Sequence, residues 1–158
     1  MDRKTFDRLN RIYKPLWEKA VALRQGLKDA GYAASIGFFN NHSIKLGGEF
    51  VIEYFPIPVI TLEGIGDVGV DLDAICLEVV LSKEKALCLD YRRLAESYRF
   101  EVYGVEDYLT DIYNAQIDLA DIAANIESSG EARLCVCFHF DFDVEIEGIL
   151  AAIRALVL

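Results

Sequence analysis

The sequence is poor in residues that break or loosen a chain. Three prolines and eleven glycines in 158 residues leave no room for a long flexible linker. A hydrophobic content of 53% excludes intrinsic disorder, which belongs to chains too polar to bury a core. No apolar run reaches the roughly 18 residues of a membrane span, and the N-terminus, MDRKTFDRLNRIYK, carries charges where a secretory signal needs its apolar stretch. The chain is therefore expected in the cytoplasm, without a membrane partner. Basic residues are also scarce: 16 Lys and Arg stand against 26 Asp and Glu, a net charge of -10. Nucleic-acid binding takes most of its affinity from cations that neutralise phosphates, so the balance argues against a nucleic-acid partner. The sequence contains no G-x-S-x-G elbow, P-loop or H-E-x-x-H motif, which removes the most specific catalytic signatures.

What is present reads as one α+β domain over 1–158, with a mainly antiparallel sheet of about four to six strands, a long N-terminal helix and two or three further helices. Residues 2–30 form the long amphipathic helix. Phe6, Leu9, Ile12, Tyr13, Leu16, Ala20, Leu23 and Leu27 recur every three or four positions, opposite Lys4, Arg8, Arg11 and Lys14, with a kink or restart expected at Pro15 and a stop at Gly31. Over 32–82 the period changes to two. Six short β-rich runs (32–39, 43–46, 49–55, 59–63, 68–72 and 75–81) are separated by Asn, Gly and Pro, the pattern of antiparallel hairpins. The second half alternates: helix at 83–97, strand at 99–103, helix at 106–127, strand at 133–142 and a closing helix at 144–158. On 106–127, Tyr108, Ile112, Ala115, Leu119, Ile122 and Ile126 make an apolar stripe opposite Asp107, Asp111, Asn114, Asp118, Asp121 and Asn125.

Two features point to self-association. From 148 to 158 only Arg154 is charged, and a helix that apolar must be covered on several sides, by its own chain or by a second copy. Charge is also divided unevenly. Residues 1–28 hold eight basic and three acidic residues, a balance of +5, which leaves -15 for the rest of the chain. A basic helix on an acidic body suits an interface with its own chain, a partner subunit or an anionic partner. The outline of long helix, meandering sheet and small acidic chain resembles the dimeric secretion-chaperone-like domains, an analogy of architecture without a shared motif. The leading expectation is thus a non-enzymatic protein- or ligand-binding module that acts as a homodimer.

The competing expectation is a metal-dependent enzyme or metal-binding protein centred on 135–143. Alternation over 133–144 puts Leu134, Val136, Phe138, Phe140 and Phe142 on one strand face and Cys135, Cys137, His139, Asp141 and Asp143 on the other. Ligands two residues apart on a strand stand roughly 6–7 Å apart at Cα, close enough to hold one ion. Cys135, Cys137 and His139 are the proposed zinc ligands, with His42, Cys76 and Cys88 as the remaining donors. The plainer reading treats Cys135 and Cys137 as small core residues, since Cys-x-Cys lacks the paired Cys-x-x-Cys knuckles of a strong zinc motif. Four cysteines in a reducing cytoplasm read as thiols. A Cys–His nucleophile pair can also be drawn, but any chain with four Cys and two His permits one. Finally, 63–69 contains G-x-G-x-x-G after an apolar run, with Asp90 as a ribose-binding acid in a dinucleotide reading. Asp67 inside the phosphate loop favours a Gly-rich hairpin instead.

Overall fold

The computed structural model describes residues 2–46, 50–107 and 110–157, with the backbone alone at 39–46, 50–56 and 157. Helix α1, Arg3–Asp29, starts where the Asp2 carboxylate accepts the Thr5 amide at 2.8 Å, satisfying a first-turn donor that has no partner inside the helix. It ends in a Schellman motif. Tyr32 N–H reaches the Leu27 carbonyl at 3.0 Å and Gly31 N–H that of Lys28 at 2.9 Å, with Gly31 at φ 94°, a conformation glycine adopts without steric cost. The helix is assigned without interruption through Pro15, so the expected restart does not occur. Leu16, Ala20, Leu23 and Leu27 are buried. Phe6 lies on the same stripe yet is 59% exposed: the periodicity spans the helix, but burial does not reach its first turns.

The elements that follow are β1 Ala34–Leu46, β2 Phe50–Leu62, β3 Gly66–Val70, β4 Ala74–Ser82, α2 Lys83–Leu87, α3 Tyr91–Ser97, β5 Arg99–Gly104, β6 Asp111–Tyr113, a 3-10 turn at Leu119–Asp121, α4 Ile122–Ser128, β7 Arg133–Asp141 and α5 Ile146–Val157. One antiparallel sheet runs in the order β1-β2-β3-β4-β7-β5-β6. Helix and strand are mixed as expected. Among the described residues the sheet has seven strands rather than four to six, and four further α-helices follow α1 rather than two or three.

Each departure has a local cause. Pro56 and Pro58 do not end β2, because β3 pairs only with Val59–Leu62 and both prolines lie where β2 has a neighbour on one side alone, the edge position that tolerates proline. The helix expected at 106–127 is instead β6, turns and the short α4. Asn114 accepts the Gln116 amide at 2.9 Å and Asp118 accepts that of Ala120 at 2.9 Å. Short polar side chains at these positions capture nearby backbone donors and hold turns. Tyr108, part of that expected stripe, lies outside the described residues. The helix expected at 83–97 breaks in two because Asp90 caps α3, accepting the Arg93 amide at 3.1 Å. G-x-G-x-x-G is the β2–β3 hairpin, with Gly64 at φ 72°, and 74–82 continues as strand. The dinucleotide reading therefore fails for want of a helix to receive the pyrophosphate.

The core lies on one face of the sheet. Ile60 and Leu62 of β2, Val68 and Val70 of β3, Ile75, Leu77 and Val79 of β4, and Leu134, Val136 and Phe138 of β7 are all buried with Leu16, Ala20, Leu23 and Leu27 of α1. Helix α5 joins that layer: Ile149, Ala152 and Ile153 are fully buried and Leu150 and Leu156 nearly so, while Ala151, Arg154 and Ala155 face outward. Among the described residues, the large apolar side chains from Ile149 to Leu156 are covered by the helix's own chain. Gly26 of α1 makes the approach possible, since a Cβ there would sit 2.6 Å from Cγ1 of Ile146. Glu131, only 5% exposed, is satisfied by the backbone amides of Glu106 at 2.9 Å and Asp107 at 3.0 Å. No described helix is long and apolar enough to cross a membrane.

Two outcomes test this packing. Ile153→Ala should destabilise the protein by about 2–5 kcal/mol and Arg154→Ala by less than about 0.5 kcal/mol in urea denaturation, with the Ile153→Ala loss independent of protein concentration. A loss that grows on dilution would mean that a second copy covers α5. Gly66→Ala would set a Cβ 1.8 Å from the Glu78 carbonyl oxygen, a backbone atom that cannot swing aside. A loss of about 3 kcal/mol is expected, and an unchanged denaturation midpoint would refute the β3–β4 register.

Candidate functional site

Because every described β4 residue from Ala74 to Ser82 is paired with β7, the residues opposite the core form a grid. Cys76 stands across from His139, Glu78 from Cys137 and Val80 from Cys135. On the other side of β7, His139 faces Arg99, Cys137 faces Glu101 and Cys135 faces Tyr103. Beyond β4, Gly69 lies opposite Cys76 and Asp67 opposite Glu78. This face is more polar than the helix-covered face, which is apolar. Cys135 and Cys137 are nonetheless buried, being short side chains flanked on both sides by Glu78, Glu101 and Tyr103. Cys76 is partly exposed, and the space over Gly69 is open.

Within the grid, side chains converge at one point. Cys76 Sγ and His139 Nδ1 are 3.5 Å apart, and the donor atoms of Cys76, Cys137 and His139 all lie within 4.8 Å of one another. On its far side the imidazole turns Nε2 toward Glu101, 3.5 Å from the carboxylate. That nitrogen is buried without a well-formed hydrogen bond, so the contact is an ion-pair distance rather than a good hydrogen bond. Arg99 leads away from the cluster, pairing with exposed Asp141 at 3.3 Å.

The electrostatics follow from these contacts. Hydrogen bonds from the Cys137 thiol, and then from His139, lower Cys76 and favour its thiolate form. Cys137 moves strongly upward, because it is the thiol that donates to Cys76 and because it is buried. The Cys76 contact raises His139, against the opposing effect of burial. One row away, burial pushes Cys135 up to about 12 and, as the largest cause, also raises Tyr103, which shares a hydrogen bond with Cys135. A single strand thus holds two kinds of thiol: Cys135, buried beside Tyr103, and Cys137, tied to Cys76 across the ladder.

Of the three ligands expected from 135–143, Cys137 and His139 enter the cluster and Cys135 does not. Cys76, named from sequence only as a further donor, takes the third position. Cys88 is exposed at the end of α2 and is not part of the group, and the side chain of His42 lies outside the described residues. Glu101 and Tyr103 are not singled out by the sequence. Their signal is the alternation of Arg99, Glu101 and Tyr103 along a short strand, which carries no chemistry until β5 is known to lie beside β7. Glu131, the buried carboxylate, is occupied by backbone amides and is spoken for structurally.

Comparison with known proteins places the chain without assigning it a reaction. No curated protein matches it. A conserved hypothetical protein from Pyrococcus furiosus has a similar structure, with a TM-score of 0.71 and 19% sequence identity over 94% of this chain and 92% of that one. At that identity the likeness concerns the fold. A protein-family match extends over residues 7–153, from the first turns of α1 to the last of α5. The chain therefore belongs to DUF3201, a family of proteins of unknown function.

Proposed function

We propose that this protein binds a soft divalent transition-metal ion, zinc by its donor set, through Cys76, Cys137 and His139. The observation that carries the reading is the mutual approach of the three donor atoms within 4.8 Å. Ligand atoms around one tetrahedral zinc, with Zn–S about 2.3 Å and Zn–N about 2.0 Å, stand roughly 3.5–3.8 Å apart, and the Cys76–His139 separation of 3.5 Å meets that spacing. Glu101 adds to the argument. Metal-bound imidazoles commonly donate their second ring N–H to a carboxylate, which fixes the ring and strengthens the ligand, and Glu101 stands at that nitrogen. Two thiolates and an imidazole select zinc over harder ions such as magnesium or calcium. Three protein ligands on a partly exposed sheet face leave a fourth position for water or substrate, the arrangement of zinc sites that perform chemistry.

A second reading, the homodimeric binding module, is favoured by a different observation. Trp17 of α1 and Phe38 of β1 stack at 5.8 Å between ring centroids while 38% and 52% exposed. With α5 covered by its own chain, this aromatic pair is the surface that a second copy would use.

Both readings have direct tests. Untagged protein titrated with Co²⁺ should develop an intense thiolate-to-metal charge-transfer band, which Cys76→Ser and Cys137→Ser weaken and Cys135→Ser leaves intact. Zn²⁺ at a hundredfold excess over Kd should raise unfolding stability by about 2.7 kcal/mol. A cobalt spectrum without a sulfur band, or one that depends on Cys135, would refute the assignment. For self-association, sedimentation at micromolar concentration should give a dimer that Trp17→Ala dissociates, and a monomeric wild-type chain would end that reading.

A further inference from the structure

Cys76 and Cys137 are arranged for a chemistry that coordination does not require. We infer that they form a reversible redox pair, in which a hydroperoxide-class oxidant links them as an intrachain disulfide. The two residues sit diagonally across the β4–β7 ladder on the same sheet face, with sulfurs no more than 4.8 Å apart. A disulfide needs about 2.05 Å between its sulfurs and diagonal neighbours on a ladder stand roughly 7–8 Å apart, so the bond closes by side-chain rotation together with a shift of β4 against β7. The two cysteines differ in access as an attacking and a resolving thiol should. Cys76 is partly exposed and borders the open space over Gly69, whereas Cys137 is buried directly behind it.

The other thiols are poorly placed to compete. Cys135 is two residues from Cys137 on one extended strand, with both side chains standing parallel rather than turned toward each other, and its cross-strand neighbours are Val80 and Tyr103. Cys88 lies beyond the sheet, at the end of α2.

The chemistry balances with the oxidant named. The Cys76 sulfur attacks the outer oxygen of the hydroperoxide, the O–O bond breaks, and the departing alkoxide takes up the proton that the thiol gives up, directly or through water. Cys76 is left as a sulfenic acid. The Cys137 sulfur then attacks the Cys76 sulfur, the S–O bond breaks, and hydroxide leaves as water with the Cys137 proton. Two thiols lose two electrons, and the hydroperoxide becomes an alcohol and water. A dithiol reductant reverses the change by exchange. The step needs no metal, and a bound ion would shield both sulfurs from it.

The experiment uses the full chain, stripped of metal with a chelator and treated with hydrogen peroxide in slight excess. Free thiols should fall from four to two. Peptide mapping without reductant should recover Cys76 joined to Cys137, and dithiothreitol should restore all four thiols. Cys137→Ser should stop the linkage and leave Cys76 as a sulfenic acid that dimedone traps, while Cys135→Ser and Cys88→Ser should still form the bond. Linkage through Cys135 or Cys88, disulfides between chains only, or four surviving thiols would overturn the inference. The cobalt titration separates the two ideas: disulfide formation without metal binding removes the metal reading alone, and metal binding with peroxide-resistant thiols removes this one.

Discussion

Nine consecutive residue pairs join β4 to β7, from Ala74 opposite Asp141 to Ser82 opposite Arg133, and the rest of the molecule is arranged around that ladder. Side chains alternate across a strand, so the register decides at once which residues meet the helices and which meet each other on the opposite face. A slip of β7 by one residue would send Leu134 and Val136 out of the core and drive Cys135, Cys137 and His139 into it. Burying one such aliphatic side chain is worth about 1.5–3 kcal/mol and burying an unpaired charge costs more. The same arithmetic that builds the core therefore brings the thiols and the imidazole together.

Coverage on one side only gives the opposite face its character. Buried polar groups need partners, and on that face the partners are cross-strand neighbours rather than a second layer. Cys137 and His139 donate toward Cys76 and lower it, while Cys135 and Tyr103 share a hydrogen bond and are both pushed up by burial. Cys135 and Cys137 are separated by a single residue and have opposite prospects. Position along the strand does not separate them; the residue across the ladder does.

Much of the fold is legible in the chain itself. The stripe from Leu9 to Leu27 specifies α1, Gly31 its end, and the alternation at 133–142 fixes which side of β7 faces the core. The stretch from 106 to 127 misleads for a physical reason. Its acidic and amide residues recur at helical spacing, but Asn and Asp at such spacing are also the residues that close turns by accepting backbone amides, and tertiary pairing of Asp111 and Tyr113 with β5 settles the choice. Helix α5 misleads in a different way. Its composition demands cover, and composition says nothing about whether α1 and the sheet supply it.

The sequence by itself determined the mixed fold, the antiparallel sheet, the long first helix and the chemical face of β7, because each is written in local periodicity and in residues whose backbone preferences act over a few positions. Tertiary structure alone decided that Cys76, 61 positions before Cys137, completes the cluster, that Cys135 stands outside it, and that Glu101 backs His139. Those contacts run across strands brought together by pairing register. Register is set by the burial of the whole sheet against its helices, a sum over the molecule that no single segment contains.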